Sequence, residues 1–348
     1  MKLTFRRFDL ELVDTWRVSS GQGVGTGKDF YPIVFVELSG EGYAGIGEGA
    51  PSSRYHESAE TVIAFLNKVD AACLSFEDIP GTMCYLETVA PGNYTAKAAI
   101  NLALVDGVAK QQEVPIYDYL KLGFTENRHI TSFSIGIDQP DVIRKKVERA
   151  GAYPVLKIKV GSPNDRETLQ AVRDVAPKKT LRVDANEAWR TREEALRNIE
   201  LLAQDPHIEF IEQPMPCDSS PGDMAWLKER SPLPLFGDES YHHASDLHRC
   251  IDCFHGVNVK LVKTGGITPA FEALKAARSA GLKTMIGCMI ESSVLISAAA
   301  HLAELTDHLD IDGNLLIRND PYLGVSSLKG LLSFSGTPEK SGLRVCKR

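Results

Sequence analysis

The sequence predicts an α/β protein in which a small α+β unit precedes eight strand–helix repeats. The repeats close into a parallel barrel, with an open doubly wound sheet as the alternative. Three observations carry this. The first hundred or so residues place strand-like runs ahead of helical ones; from about His129 strand and helix patterns alternate; and charged residues recur once per strand, at the strand ends.

The opening runs LTFRRFDLELV, YPIVFVELSG and YAGIGEGA read as strands, separated by the glycine-rich GQGVGTGKD. ESAETVIAFLNKVDAACL and YTAKAAINLALVDGVAKQQ then read as helices. Residues 21–27 mimic a dinucleotide fingerprint, but a strand follows them where a helix is required, so the stretch is expected to be a mobile loop.

The repeats begin at HITSFSIGI and continue through YPVLKIKVG, TLRVDAN, HIEFIEQP, PLFGDES, VNVKLVKTGG, KTMIGCMIESS and HLDIDG. Helix starts are marked between them by Thr191 with Glu194 three residues on, and by Thr268-Pro269. The tail from about Asp320 carries two short strand-like runs, LLSFSG and GLRVCK, that could return to the first unit.

YPVLKIKVG poses a question, because Leu156, Ile158 and Val160 alternate with Lys157 and Lys159. In a barrel, the second face is the interior. Lys159, Asp184, Glu212, Asp238 and Lys263 follow one another at intervals of 25, 28, 26 and 25 residues, each about one strand plus one helix. Each is expected at the carboxyl end of its strand, where barrel active sites lie. Three carboxylates from adjacent strands make a hard oxygen site suited to Mg²⁺, with Mn²⁺ as a substitute. Lys159 and Lys263 bracket the trio as two bases. Mutual repulsion of Lys157 and Lys159 beside a cation is expected to favour the neutral amine. Lys260, three residues before Lys263, reads as structural.

A net charge of −7 and a pI near 5.8 exclude a general attraction to nucleic acid or anionic membrane, leaving small molecules and other proteins, including a second copy in a homo-oligomer, as partners. The 7 cysteines follow no framework, and MKLTFRRFDLELVD lacks the apolar core of a secretion signal. A cytoplasmic protein is expected. Cys250 and Cys253 have redox spacing but read as packing residues, and His242, His243 and His248 read as solvated helix positions.

LKIKVG, RVDANEAW, FIEQP, GDES, KLVKTGG and GCMIESS, in this order and spacing, resemble the muconate-lactonizing subgroup of the enolase superfamily. The resemblance implies a modified (β/α)7β TIM barrel under an α+β capping domain, with the cap at 1–122, the barrel at 123–318, and 319–348 rejoining the cap. It also implies that Asp184, Glu212 and Asp238 hold Mg²⁺, that Lys159 and Lys263 are the acid/base lysines, and that Lys157 binds the substrate carboxylate. Asn186 and Glu239 are expected to support the metal shell. GCMIESS is similar to the loop whose main chain lines the substrate around Cys288 and Met289. Asp310 and Asp312, on one face of HLDIDG, resemble the dipeptide epimerase pair that holds a free ammonium group. The implied activity is therefore epimerisation of a dipeptide at its carboxyl-terminal residue. N-acylamino acid racemase, o-succinylbenzoate synthase or cycloisomerase activity is the alternative. Two cap loops, Ser19 to Asp29 and Pro51 to Glu57, would meet the substrate's outer parts, with Arg54 and Lys28 as the available cations.

Overall fold

Glycine at alternate positions explains how the cap is assembled. The computed structural model describes residues 1–20, 23–40 and 42–348, leaving 21–22 of the first expected cap loop outside the described residues. Strands Lys2–Trp16, Lys28–Gly40 and Tyr43–Gly49 form an antiparallel sheet in that order. The long helix Tyr94–Gln111 lies on it, buried on every side from Thr95 to Ala109. A Cβ at Gly45 or Gly47 would fall 1.9 Å from the carbonyl oxygen of Ala103 or Ala99, so side chains there would push helix and sheet apart. Asp106 of this helix accepts from Ile46 N of the sheet (2.9 Å) and from Leu343 N of the tail (2.8 Å). The helices Ala59–Leu66 and Ile79–Val89 complete the cap, the second without a counterpart in the sequence reading.

All eight expected barrel strands are present, in sequential order and parallel: Phe133–Ile135, Val155–Lys159, Thr180–Asp184, Ile208–Glu212, Leu235–Gly237, Gly256–Val259, Lys283–Gly287 and His308–Asp310. The ring closes where Thr131 bridges Leu309 and Ser132 N donates to Leu309 O at 3.1 Å. This decides against the open sheet. Amphipathic helices coat the outside; Asp165–Val175, for example, buries Thr168, Ala171 and Val172 inward. After the fifth strand the outer helix shrinks to the single turn Leu247–Cys250, preceded by the 3-10 turn Ala244–Asp246.

In the tail, Leu331–Ser333 pairs with Ser326–Leu328 and Cys346–Lys347 pairs with Tyr322–Leu323. Tyr322 packs its ring 5.1 Å from Phe35 of the cap sheet, and Arg318 N donates to Glu11 O at 2.9 Å. Among the described residues no helix is long and apolar enough to cross a membrane.

Candidate active site

Strand register assembles the site. Lys159 pairs with Asp184 and Asp184 with Glu212, so three neighbouring strands end in one row at the barrel mouth. Asp238 follows the fifth strand directly. Lys157 and Lys159 both point inward and are buried, as the alternation requires, while Leu156 and Ile158 face the helices.

Oxygens of Asp184, Glu212 and Asp238 lie within 4.8 Å of one another, all fully buried. Each acid is held from its own side. Lys159 Nζ donates to Asp184 Oδ2 at 2.6 Å, Asn258 Nδ2 to Glu212 Oε1 at 2.8 Å, and Lys260 Nζ to Asp238 Oδ2 at 2.7 Å. Glu212 Oε2 lies 2.7 Å from Lys157 Nζ, in an orientation that makes no hydrogen bond, so its lone pairs keep no hydrogen-bond partner. Three hard oxygen donors around an unsatisfied carboxylate fit a divalent cation such as Mg²⁺. The charges diverge within the trio. Burial, with Asp184 adding to it, pushes Glu212 up to about 7. Burial also opposes the charge of Asp238, but Lys260 and Lys263 outweigh it and hold the group well below the usual carboxylate range.

The lysines differ in their surroundings. Lys157 Nζ stands between Asp184 (3.0 Å), Glu212 (2.7 Å) and Asp310 (2.5 Å). Burial opposes its charge, but these carboxylates prevail and push its pKa well above the lysine range. These three neighbours favour the charged amine, whereas repulsion from Lys159 beside a cation would favour the neutral one.

Lys263 does not end the sixth strand. The strand stops at Val259 and residues Leu261–Thr264 form a helical turn, so the lysine at the strand end is Lys260. Lys263 lies behind it, with Nζ donating to Asp238 Oδ1 (2.5 Å) and to the carbonyls of Asp238 (2.6 Å), Tyr241 (3.1 Å) and Asn258 (3.1 Å). Burial, reinforced by Lys260, lowers its pKa, as a base would need. Its four acceptors outnumber the three hydrogens of an ammonium, so Lys263 points into the protein, whereas Lys260 reaches Asp238 from the strand end. Lys260, expected to be structural, instead follows the strand end directly and donates to Asp238 Oδ2. Asn258 carries no expectation from the sequence, although the parity that aims Lys157 and Lys159 inward also aims Asn258 and Lys260 inward.

Asp310 and Asp312 sit side by side across the seam from the first strand. Ser132 Oγ donates to Asp310 Oδ1 (2.6 Å), and Ser134 N to Asp312 Oδ2 (2.6 Å). Burial would raise both, but Lys157 and Lys159 hold Asp310 down to about 2, whereas Asp312, buried beside Asp310, rises to about 7. Cys288 Sγ lies 4.0 Å from Asp312 Oδ1, and Met289 follows in the same loop. Asn186 Nδ2 donates to Glu239 Oε1 at 3.3 Å, immediately beside Asp184 and Asp238. Arg54, on the short cap turn Ser53–Tyr55, is not a free cation: it pairs with Glu187 and lies 3.4 Å from Glu239. Lys28 stands over the Tyr31 ring at 5.0 Å. His242 and His243 are not solvated helix residues either, since they pack against Tyr55 and Tyr94 of the cap. Cys250 and Cys253 are buried and unpaired, in keeping with a packing role.

A barrel with this acid trio under an α+β cap defines the class. Residues 141–330 match the family described as Enolase C-terminal domain-like, and residues 22–121 match the Mandelate racemase / muconate lactonizing enzyme, N-terminal domain. The chain belongs to the mandelate racemase / muconate lactonizing enzyme family of the enolase superfamily. It is 60% identical to an L-Ala-D/L-amino acid epimerase of Pedosphaera parvula over 99% of both chains. It is 38% identical to an L-Ala-D/L-Glu epimerase of Bacteroides thetaiotaomicron, over 100% of this chain and 88% of that one. Among solved structures it is similar to the dipeptide epimerase of Enterococcus faecalis complexed with Mg and the dipeptide L-Leu-L-Tyr. That match has a TM-score of 0.86 and 29% identity, covering 99% of this chain and 98% of the other.

Proposed function

We propose that the chain is a Mg²⁺-dependent dipeptide epimerase, with Mn²⁺ as a substitute ion, that inverts the α-carbon of the carboxyl-terminal residue by 1,1-proton transfer. The carrying observation is the pair of lysines on opposite flanks of one acid trio, Lys159 on Asp184 and Lys260 on Asp238. The names of the similar proteins support the substrate class.

Asp184, Glu212 and Asp238 would hold the ion, which supplies a Lewis acid for the substrate carboxylate. Lys157, between the trio and Asp310, is placed to contribute positive charge to the same carboxylate as negative charge grows on its oxygens. One of Lys159 and Lys260 takes the α-proton and the other, as ammonium, returns a proton to the opposite face. Asp310 and Asp312 receive the dipeptide's free ammonium, with the main chain at Cys288 and Met289 lining that end. An N-acylamino acid or a cycloisomerase substrate offers this pair no ammonium, which favours a dipeptide over those alternatives. Asn186 and Glu239 steady the ligand loops. Lys263 acts as a strut for Asp238, displacing its expected role as a base.

Incubation with a dipeptide mixture in D₂O with and without Mg²⁺, read by mass spectrometry, tests the reading. Metal-dependent uptake of one deuterium at the carboxyl-terminal α-carbon is expected; exchange of N-acylamino acids in preference to dipeptides would replace it with the racemase.

A further inference from the structure

Glu48 is a fully buried carboxylate in the cap strand Tyr43–Gly49, and among the described residues no lysine or arginine pairs with it. Its bonds cross to the barrel. It accepts from Ser292 N (2.9 Å), Ser292 Oγ (2.5 Å) and Leu295 N (3.3 Å), at the start of the helix Ser293–Ala300 that follows the seventh strand. Burying an acid without a counter-charge is costly, and these donors offset the cost only while the segment keeps this position.

The segment just before Ser292 is the loop Cys288–Glu291. Its far side rests on the eighth strand's end: a Cβ at Gly313 would lie 2.6 Å from Met289 O and 2.8 Å from Glu291 N, and Cys288 Sγ approaches Asp312. Inside the loop, Glu291 Oε1 accepts from Met289 N at 2.9 Å. From the cap sheet Glu48 holds this side of the loop, while Asp320 of the tail holds the next residue, accepting from Ser293 N (3.0 Å) and Ser293 Oγ (2.7 Å).

We propose that Glu48 is a positioning residue: it fixes the Cys288–Glu291 loop against Asp310 and Asp312, so the cap sets how tightly the ammonium end of the substrate is bound. The proposal rests on the dipeptide reading above. It predicts a defect in binding with little change in the proton-transfer step, because Glu48 bonds neither a lysine nor an acid of the trio.

Glu48→Gln keeps the shape but turns an NH₂ group toward N–H donors. The measurements are kcat and KM for Mg²⁺-dependent dipeptide epimerisation, together with amide hydrogen exchange. KM should rise about tenfold with kcat changed less than about twofold, the loss expected for charge-assisted bonds. Amides of residues 289–292 should exchange faster, while those of Lys283–Gly287 stay protected. A fall in kcat with KM unchanged, or unchanged loop protection, would overturn the proposal. Should Glu48→Gln fail to fold, Ser292→Ala, which removes one of these bonds, gives the same readouts with KM up about threefold. If the wild-type protein turns over no dipeptide, the function fails, whereas the exchange pattern still decides whether Glu48 holds the loop.

Discussion

The second and sixth barrel strands carry the same ingredient, a pair of lysines beside an acid of the trio, and use it differently. On the second strand the spacing is two, the strand runs through both residues, and both amines enter the barrel. On the sixth the spacing is three, and the chain turns helical between them. Lys260 therefore enters the mouth while Lys263 folds back under Asp238. Where a lysine's amine lies here is set by the backbone conformation beneath it more than by its distance in sequence from an acid of the trio.

Removing each amine in turn separates the two strands most clearly. Lys159→Ala and Lys260→Ala should each lower kcat/KM for epimerisation by roughly 10³-fold or more, the scale of a lost general acid or base. Each should still allow α-proton exchange from the one diastereomer whose proton faces the remaining lysine. Loss of turnover on replacing Lys263, with Lys260→Ala near normal, would reverse the assignment.

Lys263→Met sharpens the same contrast through stability. Removing an ammonium that satisfies a carboxylate and three carbonyls should cost about 3–5 kcal/mol of unfolding free energy, seen as a lower denaturation midpoint. The folded fraction should keep turnover within about tenfold, since the proposed proton path through Lys159 and Lys260 is untouched. A variant of normal stability with no turnover would show that Lys263 moves protons after all.

A third contrast separates the trio from the acids on the eighth strand. Asp310→Asn removes a charge from the ammonium end, and the KM of a dipeptide should rise about 10–100-fold, the worth of a charge-assisted bond. An N-acylated dipeptide, which lacks the ammonium, should show no such change. If both substrates suffered equally, Asp310 would be serving Lys157 rather than the dipeptide.

What the sequence disclosed follows from this geometry. The trio was legible because a strand plus a helix has a nearly fixed length, so residues at strand ends recur at nearly fixed intervals whatever the loops do. Lys157 and Lys159 were legible because strand alternation has no ambiguity within five residues. The sixth strand misled because nothing in VKLVKTGG announces that extended backbone gives way to a helical turn at Leu261. Asn258, two residues before Lys260, could have been found by the same parity. The charge state of Lys157 could not, because it depends on Asp310, 153 residues away and brought near only by closure of the barrel. The pairing of Arg54 was hidden for the same reason, since its partners lie on two barrel loops and it lies in the cap.

That pairing leaves Arg54 with little influence on turnover. Arg54 spans both flanks of the site, meeting Glu187 beyond the third strand and Glu239 beyond the fifth, and its side chain remains partly exposed. A guanidinium already facing two carboxylates has little charge to offer an acidic substrate side chain, and partly exposed ion pairs contribute at most about 1 kcal/mol. Arg54→Ala should therefore change kcat/KM by less than about fivefold, alike for neutral and acidic dipeptides. A selective loss confined to dipeptides ending in glutamate would mean that Arg54 leaves its partners for the substrate, and that the cap turn Ser53–Tyr55 selects side chains by charge instead of fastening the two flanks together.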